Sequence, residues 1–139
     1  MKLHKFSNAL EIKEKANKLG MSVDIITGEK AKNYINFIFS KYGNVKKTGH
    51  ISLDEGIKIK NDEDSEFLFF EKFDKENLYV FFEQDLINRN TCIKVSNGKI
   101  LSKILIDCFG MEYFVSNDVG GFLVAVNWYT IHYLEEKCI

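Results

Sequence analysis

The side chains that could do chemistry are few and scattered. The densest group is Asp62-Glu63-Asp64-Ser65-Glu66, where carboxylates at alternate positions are what a calcium loop would offer. Such a loop also needs a glycine at its sixth position and a bidentate glutamate at its twelfth. Counting from Asp62, those positions hold Phe67 and Phe73. Two readings remain: a solvated charged loop ahead of an apolar segment, or an acidic patch for a basic partner. The second would also enlist Asp54 and Glu55, a few residues upstream.

His4, His50 and His132 lie far apart, and none has a second histidine at i+3 or i+4, so no metal site is expected. His132, in an apolar strand, reads as a hydrogen-bonded sheet or interface residue ahead of an acid or base. Cys92, Cys108 and Cys138 are odd in number and show no C-x-x-C spacing, the pattern of reduced thiols in a cytosol. Cys108 follows Ile104 and Leu105 at helical spacing and reads as a small buried apolar residue. A nucleophilic role would require a nearby histidine or cation that no local motif supplies. Gly120-Gly121 lacks the strand, loop and helix order of a phosphate cradle and fits a hairpin turn with positive φ. Lys41, Lys46 and Lys47 beside Tyr42 form a small basic and aromatic group, read as a solvated helix end. Trp128 and Tyr129, at a strand junction, would be interface anchors if exposed and core if buried, and the core is the first reading. No catalytic set and no cofactor are expected.

The elements that would position these residues follow from periodicity. Asn8-Ala9-Leu10-Glu11 has the form of a capping box, and Ala9, Ile12, Ala16 and Leu19 recur at helical spacing up to Gly20. A short strand around residues 21–25 precedes a second helix that starts at Thr27-Gly28-Glu29 and ends at Gly43. Ile51-Ser52-Leu53 and Ile57-Lys58-Ile59 alternate as short strands. Glu66–Phe73 and Leu78–Glu83 flank Asp74-Lys75-Glu76-Asn77, which predicts a hairpin of two central strands. A strand at Cys92–Val95 leads into a third helix carrying Ile100, Leu101, Ile104 and Leu105. A second hairpin, Glu112–Val115 with Phe122–Val126, and a last strand over Thr130–Leu134 complete the chain.

Three helices beside six or more strands with consecutive hairpins predict an α+β fold: an antiparallel sheet of about five to seven strands with helices packed mainly on one face. A length of 139 residues suits a single domain, 1–139. Twelve Phe, six Tyr and one Trp imply a core built largely of aromatic area. With no proline in the chain, the turns must come from Gly, Asn and Asp. A formal net charge of −1, from 19 basic and 20 acidic residues, provides no global positive field and disfavours nucleic acid as a partner. No stretch approaches the roughly 20 apolar residues that span a bilayer, and no apolar segment follows the charged N-terminus. A cytoplasmic protein is expected.

The run Glu112-Tyr113-Phe114-Val115-Ser116-Asn117, then Gly121–Ile131, resembles a small uncharacterised bacterial α+β family that ends in a hairpin, an Asn-His-His turn and a strand. Asn127 matches that turn; Trp128 and Tyr129 stand where the paired histidines would be. Chains of this look, small, aromatic-rich and acidic in one loop, also resemble the immunity proteins of contact-dependent inhibition and other polymorphic toxin systems. That resemblance implies a cognate toxin domain as partner, basic and often a nuclease, whose active site the protein blocks. Asp54, Glu55, Asp62, Glu63, Asp64 and Glu66 would then be the partner-binding residues, with a homo-oligomer left open. The alternative is a single-stranded nucleic-acid binder using an aromatic sheet face and Lys41–Lys47. A third reading is a small enzyme using Cys108 or His132.

Overall fold

Strands that are apolar on both faces must be covered on both faces, and this requirement organises the molecule. The computed structural model describes residues 8–43, 45–48, 50–61, 65–84, 88–106, 108 and 111–136, with backbone only for 65–67. Seven strands form one sheet in the order β1 (Asp24–Thr27), β6 (Thr91–Val95), β5 (Leu78–Phe82), β7 (Tyr113–Asn117), β8 (Phe122–Val126), β9 (Thr130–Glu135) and β4 (Ile57–Lys60). Every neighbouring pair is antiparallel. A two-stranded ribbon, β2 (Val45–Lys46) with β3 (Ser52–Leu53), stands apart from it.

Four helices complete the fold: α1 (Asn8–Lys18), α2 (Gly28–Tyr42), α3 (Ser65–Phe70) and α4 (Gly98–Ile106). Residues of α1, α3 and α4, among them Ile12, Phe70, Leu101 and Ile104, pack with Leu78, Val80, Phe82, Ile93, Val115 and Val124. Side chains alternate along a strand, so the intervening residues Phe81, Cys92, Phe114, Leu123 and Ala125 point the other way. They meet Ile35, Ile38 and Phe39 of α2, and Ile51 and Leu53 of the ribbon segment. The α+β architecture expected from the sequence, with helices mainly on one face, is therefore what the chain adopts. On the α2 face, Phe39 lies edge-on to Phe81 and Phe114, with ring centroids 5.6 and 5.1 Å apart. Such pairs add about 0.5–1.5 kcal/mol each beyond the area they bury.

One element differs from expectation. Residues 66–73 do not form a strand hairpinned to β5; they contain the helix α3. The reason is partly topological, because β5 already has β6 and β7 on its two edges. It is also a matter of period: Phe69, Phe70 and Phe73 stand at i, i+1 and i+4 and pack into one core, while Leu68 is exposed. The approach of α4 fixes this arrangement. The Gly98 N–H donates to Phe73 O at 2.7 Å, and a Cβ on Gly98 would collide with Phe70 O.

Of the two glycines in the β7–β8 turn, Gly120 has the positive φ that the sequence suggested and Gly121 does not. Gly120 has φ +65°, and a Cβ there would meet Ile38 Cδ1 at 2.9 Å. At one edge of the sheet, β4 presents Lys58 and Lys60, both exposed. In a second copy paired antiparallel through this edge, with side chains on matching faces, lysine would stand opposite lysine, and this discourages self-pairing.

The packing at Gly98 yields a test with opposed signs. Alanine favours helix over glycine by roughly 0.5–1 kcal/mol, yet Gly98→Ala should destabilise the fold by about 1–3 kcal/mol through overpacking. Gly121→Ala, which meets only ordinary contacts with Asn117, should change stability far less. Urea denaturation of both variants measures the difference, and equal midpoints would refute the close α3–α4 approach.

Candidate functional site

The β8–β9 turn is built so that its backbone has no freedom. Asn127 Oδ1 accepts the N–H groups of Tyr129 and Thr130, each at 2.8 Å, and the Asn127 N–H donates to Thr130 O at 3.0 Å. Asn61, just after β4, holds the outer side: its N–H donates to Tyr129 O at 2.9 Å and its Nδ2 to Asn127 O at 2.8 Å. The asparagine that matched the resembled family is thus a turn-forming residue whose side chain takes the place of backbone partners.

Glu112, at the start of β7, ties a second segment to this turn. Its side chain is nearly buried, at 9 % exposure. Oε1 accepts the Ile51 N–H at 3.0 Å, and Oε2 accepts from His50 Nδ1 at 2.6 Å and from the Trp128 N–H at 3.3 Å. The Ile51 carbonyl in turn accepts from Asn127 Nδ2 at 2.9 Å. Both polar groups of a buried peptide outside the main sheet are therefore satisfied by side chains. His50 adopts φ +58°, a left-handed conformation that costs a non-glycine residue energy, and its ring lies edge-on to Tyr129 at 5.3 Å. Because a carboxylate only accepts, His50 Nδ1 carries the proton, and a neutral ring leaves Nε2 as an acceptor.

Trp128 and Tyr129 are not core residues. They are 58 % and 67 % exposed. The ladder between β8 and β9 ends at Val126 and Ile131, which places the Trp-Tyr pair at the tip of the turn, beyond the covered part of the sheet. Two large rings thus stand exposed on a turn held by side-chain hydrogen bonds, beside a histidine that meets a nearly buried carboxylate.

Of the candidate acidic residues, only Asp54 and Glu55 have described side chains. Asp54 and Glu55 are exposed in the turn between β3 and β4, and Glu55 lines a cleft with Lys41, Tyr42, Leu134, Glu135 and Glu136. Asp62, Glu63 and Asp64 lie outside the described residues, although they follow directly on Asn61, which is anchored at the aromatic turn. Glu66 lies in α3, where only backbone is described. The six steps from Glu55 to Asn61 span roughly 20 Å of extended chain, so Glu55 and Asn61 stand at opposite ends of β4.

The other singled-out residues are mostly committed to structure. Lys41 pairs with Glu136 at 2.8 Å and donates to Val119 O at 3.0 Å, and Tyr42 donates to Gly120 O at 2.5 Å. Cys92 is buried, which pushes its thiol up to about 12 and keeps it protonated and unreactive. Cys108 is half-buried; His4 and Cys138 lie outside the described residues. His132 is 5 % exposed, and its Nδ1 finds no hydrogen-bond partner among the described residues. Burial first, and then Lys58 opposite it in β4, lower its pKa, against a bond to the Leu53 backbone that raises it.

Among the described residues, no group of three or more His, Cys, Asp and Glu could hold a metal ion. None of the described helices is long and apolar enough to cross a membrane. No protein-family model, curated protein or solved structure matches the chain.

Two tests follow from this geometry. Glu112→Ala strands the buried Ile51 N–H and should cost about 1–3 kcal/mol. Since Trp128 is the sole tryptophan, its fluorescence anisotropy should fall as the turn loosens, and an unchanged anisotropy would show that Glu112 does not hold it. His132, with a folded pKa below its ordinary 6.5, takes up a proton more readily when unfolded. Its contribution to stability is therefore complete above pH 6.5 and lost as pH falls below that value toward the folded pKa. Urea midpoints between pH 7 and 5 should decline, and His132→Gln should flatten that decline.

Proposed function

We propose that this chain is an immunity protein, antitoxin-like in action, that binds a cognate toxin domain in the cytoplasm and blocks it through the Trp128-Tyr129 surface. The observation that carries this reading is the exposure of two large aromatic rings on a turn already held by Asn127, Asn61 and Glu112. Aromatic residues are the commonest anchors of protein interfaces. A rigid backbone beneath them lowers the ordering cost of association. The strained, oriented His50 extends the same surface and supplies a polar contact at its rim.

Acidic residues define the kind of partner. Asp62, Glu63 and Asp64 follow directly from Asn61 at the aromatic turn, and Glu66 comes shortly after. Carboxylates that follow the anchored Asn61 in sequence suit a basic toxin domain such as a nuclease, speeding encounter and fixing register. Asp54 and Glu55, at the far end of β4, would reach only a partner large enough to span the strand.

The alternative, a single-stranded nucleic-acid binder, required an aromatic sheet face. Both faces of the sheet are covered, and Lys41 and Tyr42 are engaged within the protein. Stacking platforms of the kind such binders use would have to come from the Trp128-Tyr129 turn alone.

Co-expression with the product of the neighbouring reading frame tests the proposal. Protection of cells from that protein, and a co-purifying complex, are expected. Trp128→Ala should weaken the complex about 30-fold or more, as an interface hot spot does, while the urea midpoint of the free protein stays within roughly 0.5 kcal/mol of wild type. A complex that forms equally well with Trp128→Ala and Tyr129→Ala would remove the aromatic turn from the interface.

A further inference from the structure

A second surface, which shares no residue with the aromatic turn, lies where α2 meets Gln84, after β5, and Arg89 and Asn90, before β6. Lys32, Ile35, Asn36 and Phe39 stand at i, i+3, i+4 and i+7 on α2, and with Lys47, Gln84, Arg89 and Asn90 they line a cleft of about 480 Å³. Ile35 and Phe39 form an apolar floor, 2 % and 9 % exposed. Around it stand three cations and three amide side chains.

The charge balance separates this cleft from the others. Lys41 has Glu55, Glu135 and Glu136 around it, and the cleft at Lys30 and Lys94 has Asp24. Among the described residues, no carboxylate lines the cleft of Lys32, Lys47 and Arg89, and none of the three makes an ion pair. Three like charges facing one concavity repel each other, and a bound anion would relieve that repulsion.

The backbone that carries two of these cations is tied into the fold. The Gln84 N–H donates to Lys47 O at 3.0 Å, joining the end of β5 to the segment after β2, and Lys47 Nζ sits 5.0 Å from the Phe39 ring centroid. Arg89 lies between the buried Asn88, whose Oδ1 accepts the Asn8 N–H at 3.0 Å, and Asn90, whose φ of +56° turns the chain into β6. Gln84 Nε2 donates to Phe82 O at 2.7 Å, which orients its amide.

We propose that this cleft binds a phosphate group carried on a small organic ligand, a phosphate monoester of nucleotide size. A tetrahedral dianion offers acceptors in several directions at once, so that Lys32, Lys47 and Arg89 can share it from three different elements. A planar monoanionic carboxylate could satisfy only part of that set. The amides of Asn36 and Asn90 are placed to donate or accept at the rest of the ligand. The site does not rest on the toxin-binding reading, since it shares no residue with the aromatic turn.

The test is an NMR titration of the full chain, at constant ionic strength, with inorganic phosphate, AMP, a 5′-phosphorylated oligothymidylate and its unphosphorylated counterpart. Saturable shifts at residues 32–36, 47, 84 and 89–90 with AMP are expected. Lys47→Ala and Arg89→Ala should each weaken AMP binding roughly tenfold, as loss of a charge-assisted contact does. Their urea midpoints and the AMP affinity of Trp128→Ala should match wild type. Equal binding of AMP and inorganic phosphate assigns the site to free phosphate groups, and preference for the 5′-phosphorylated oligomer assigns it to strand ends. Binding of the unphosphorylated oligomer alone would overturn the proposal in favour of diffuse backbone contact. Absence of saturable shifts, or shifts that survive both substitutions, would overturn it outright.

Discussion

The constraint on which the rest of the structure depends is that the central strands have no polar face. Along β8 every residue from Phe122 to Val126 is buried, and β5 and β7 are nearly as apolar. A sheet of this composition exposes nothing only if both sides are roofed. Three helices roof one side. The single helix α2 does not extend over the whole of the other, so the segment around Ile51 and Leu53 completes it. That segment brings a backbone with no place in the main sheet into a buried position. Its N–H and carbonyl groups would each cost about 1–3 kcal/mol unpaired. Glu112 and Asn127 supply the missing partners, and in doing so they hold the aromatic turn.

Much of the fold was legible because its signals are local. The apolar spacing of α1, α2 and α4, the glycines that end the first two, and the Asn117–Gly121 turn each depend on a few consecutive residues. The segment 66–73 was not legible for the same reason. A run such as Phe67-Leu68-Phe69-Phe70 satisfies a period of 2 and a period of 3.6 equally well. What decides it is remote: β5 has no free edge, and Gly98 brings α4 against the backbone at Phe70.

The site was less legible than the fold, for a related physical reason. His50 and Glu112 are 62 residues apart, and neither carries a motif. Only the ribbon's position over the sheet brings them within 2.6 Å. From the sequence Trp128 and Tyr129 could be core or interface, with the core read first, since large rings tend to be buried. Against that tendency stood Asn127, whose type is suited to capping a tight turn with its own side chain. Given such a turn, the two residues at its tip must leave the core, whatever their hydrophobicity. The anchoring of Asn61 to the aromatic turn was likewise not legible, because its two hydrogen bonds join residues 66 and 68 positions apart.

The ends of the sheet differ, and that difference limits where function can lie. At one end the β7–β8 turn is closed down: Tyr34 donates to Asn117 O, Lys41 to Val119 O and Tyr42 to Gly120 O, all from α2. A Cβ on Gly120 would press on Ile38 Cδ1 there. At the other end, the register that aligns Phe82 with Tyr113, Tyr113 with Val126 and Val126 with Ile131 brings Gln84, Glu112 and Asn127 to a common level. Arg89 and Asn90 precede Thr91 at the same level, because Phe81 pairs with Cys92. Helix α2 seals one rim through Tyr34, Lys41 and Tyr42, and at the opposite rim its Lys32 and Asn36 stand beside loops. The oriented histidine, the exposed aromatic pair and the cations Lys32, Lys47 and Arg89, which make no ion pair among the described residues, all occur on that second rim. Loops carried on a rigid, doubly covered sheet are where a fold can vary its contacts without disturbing its core.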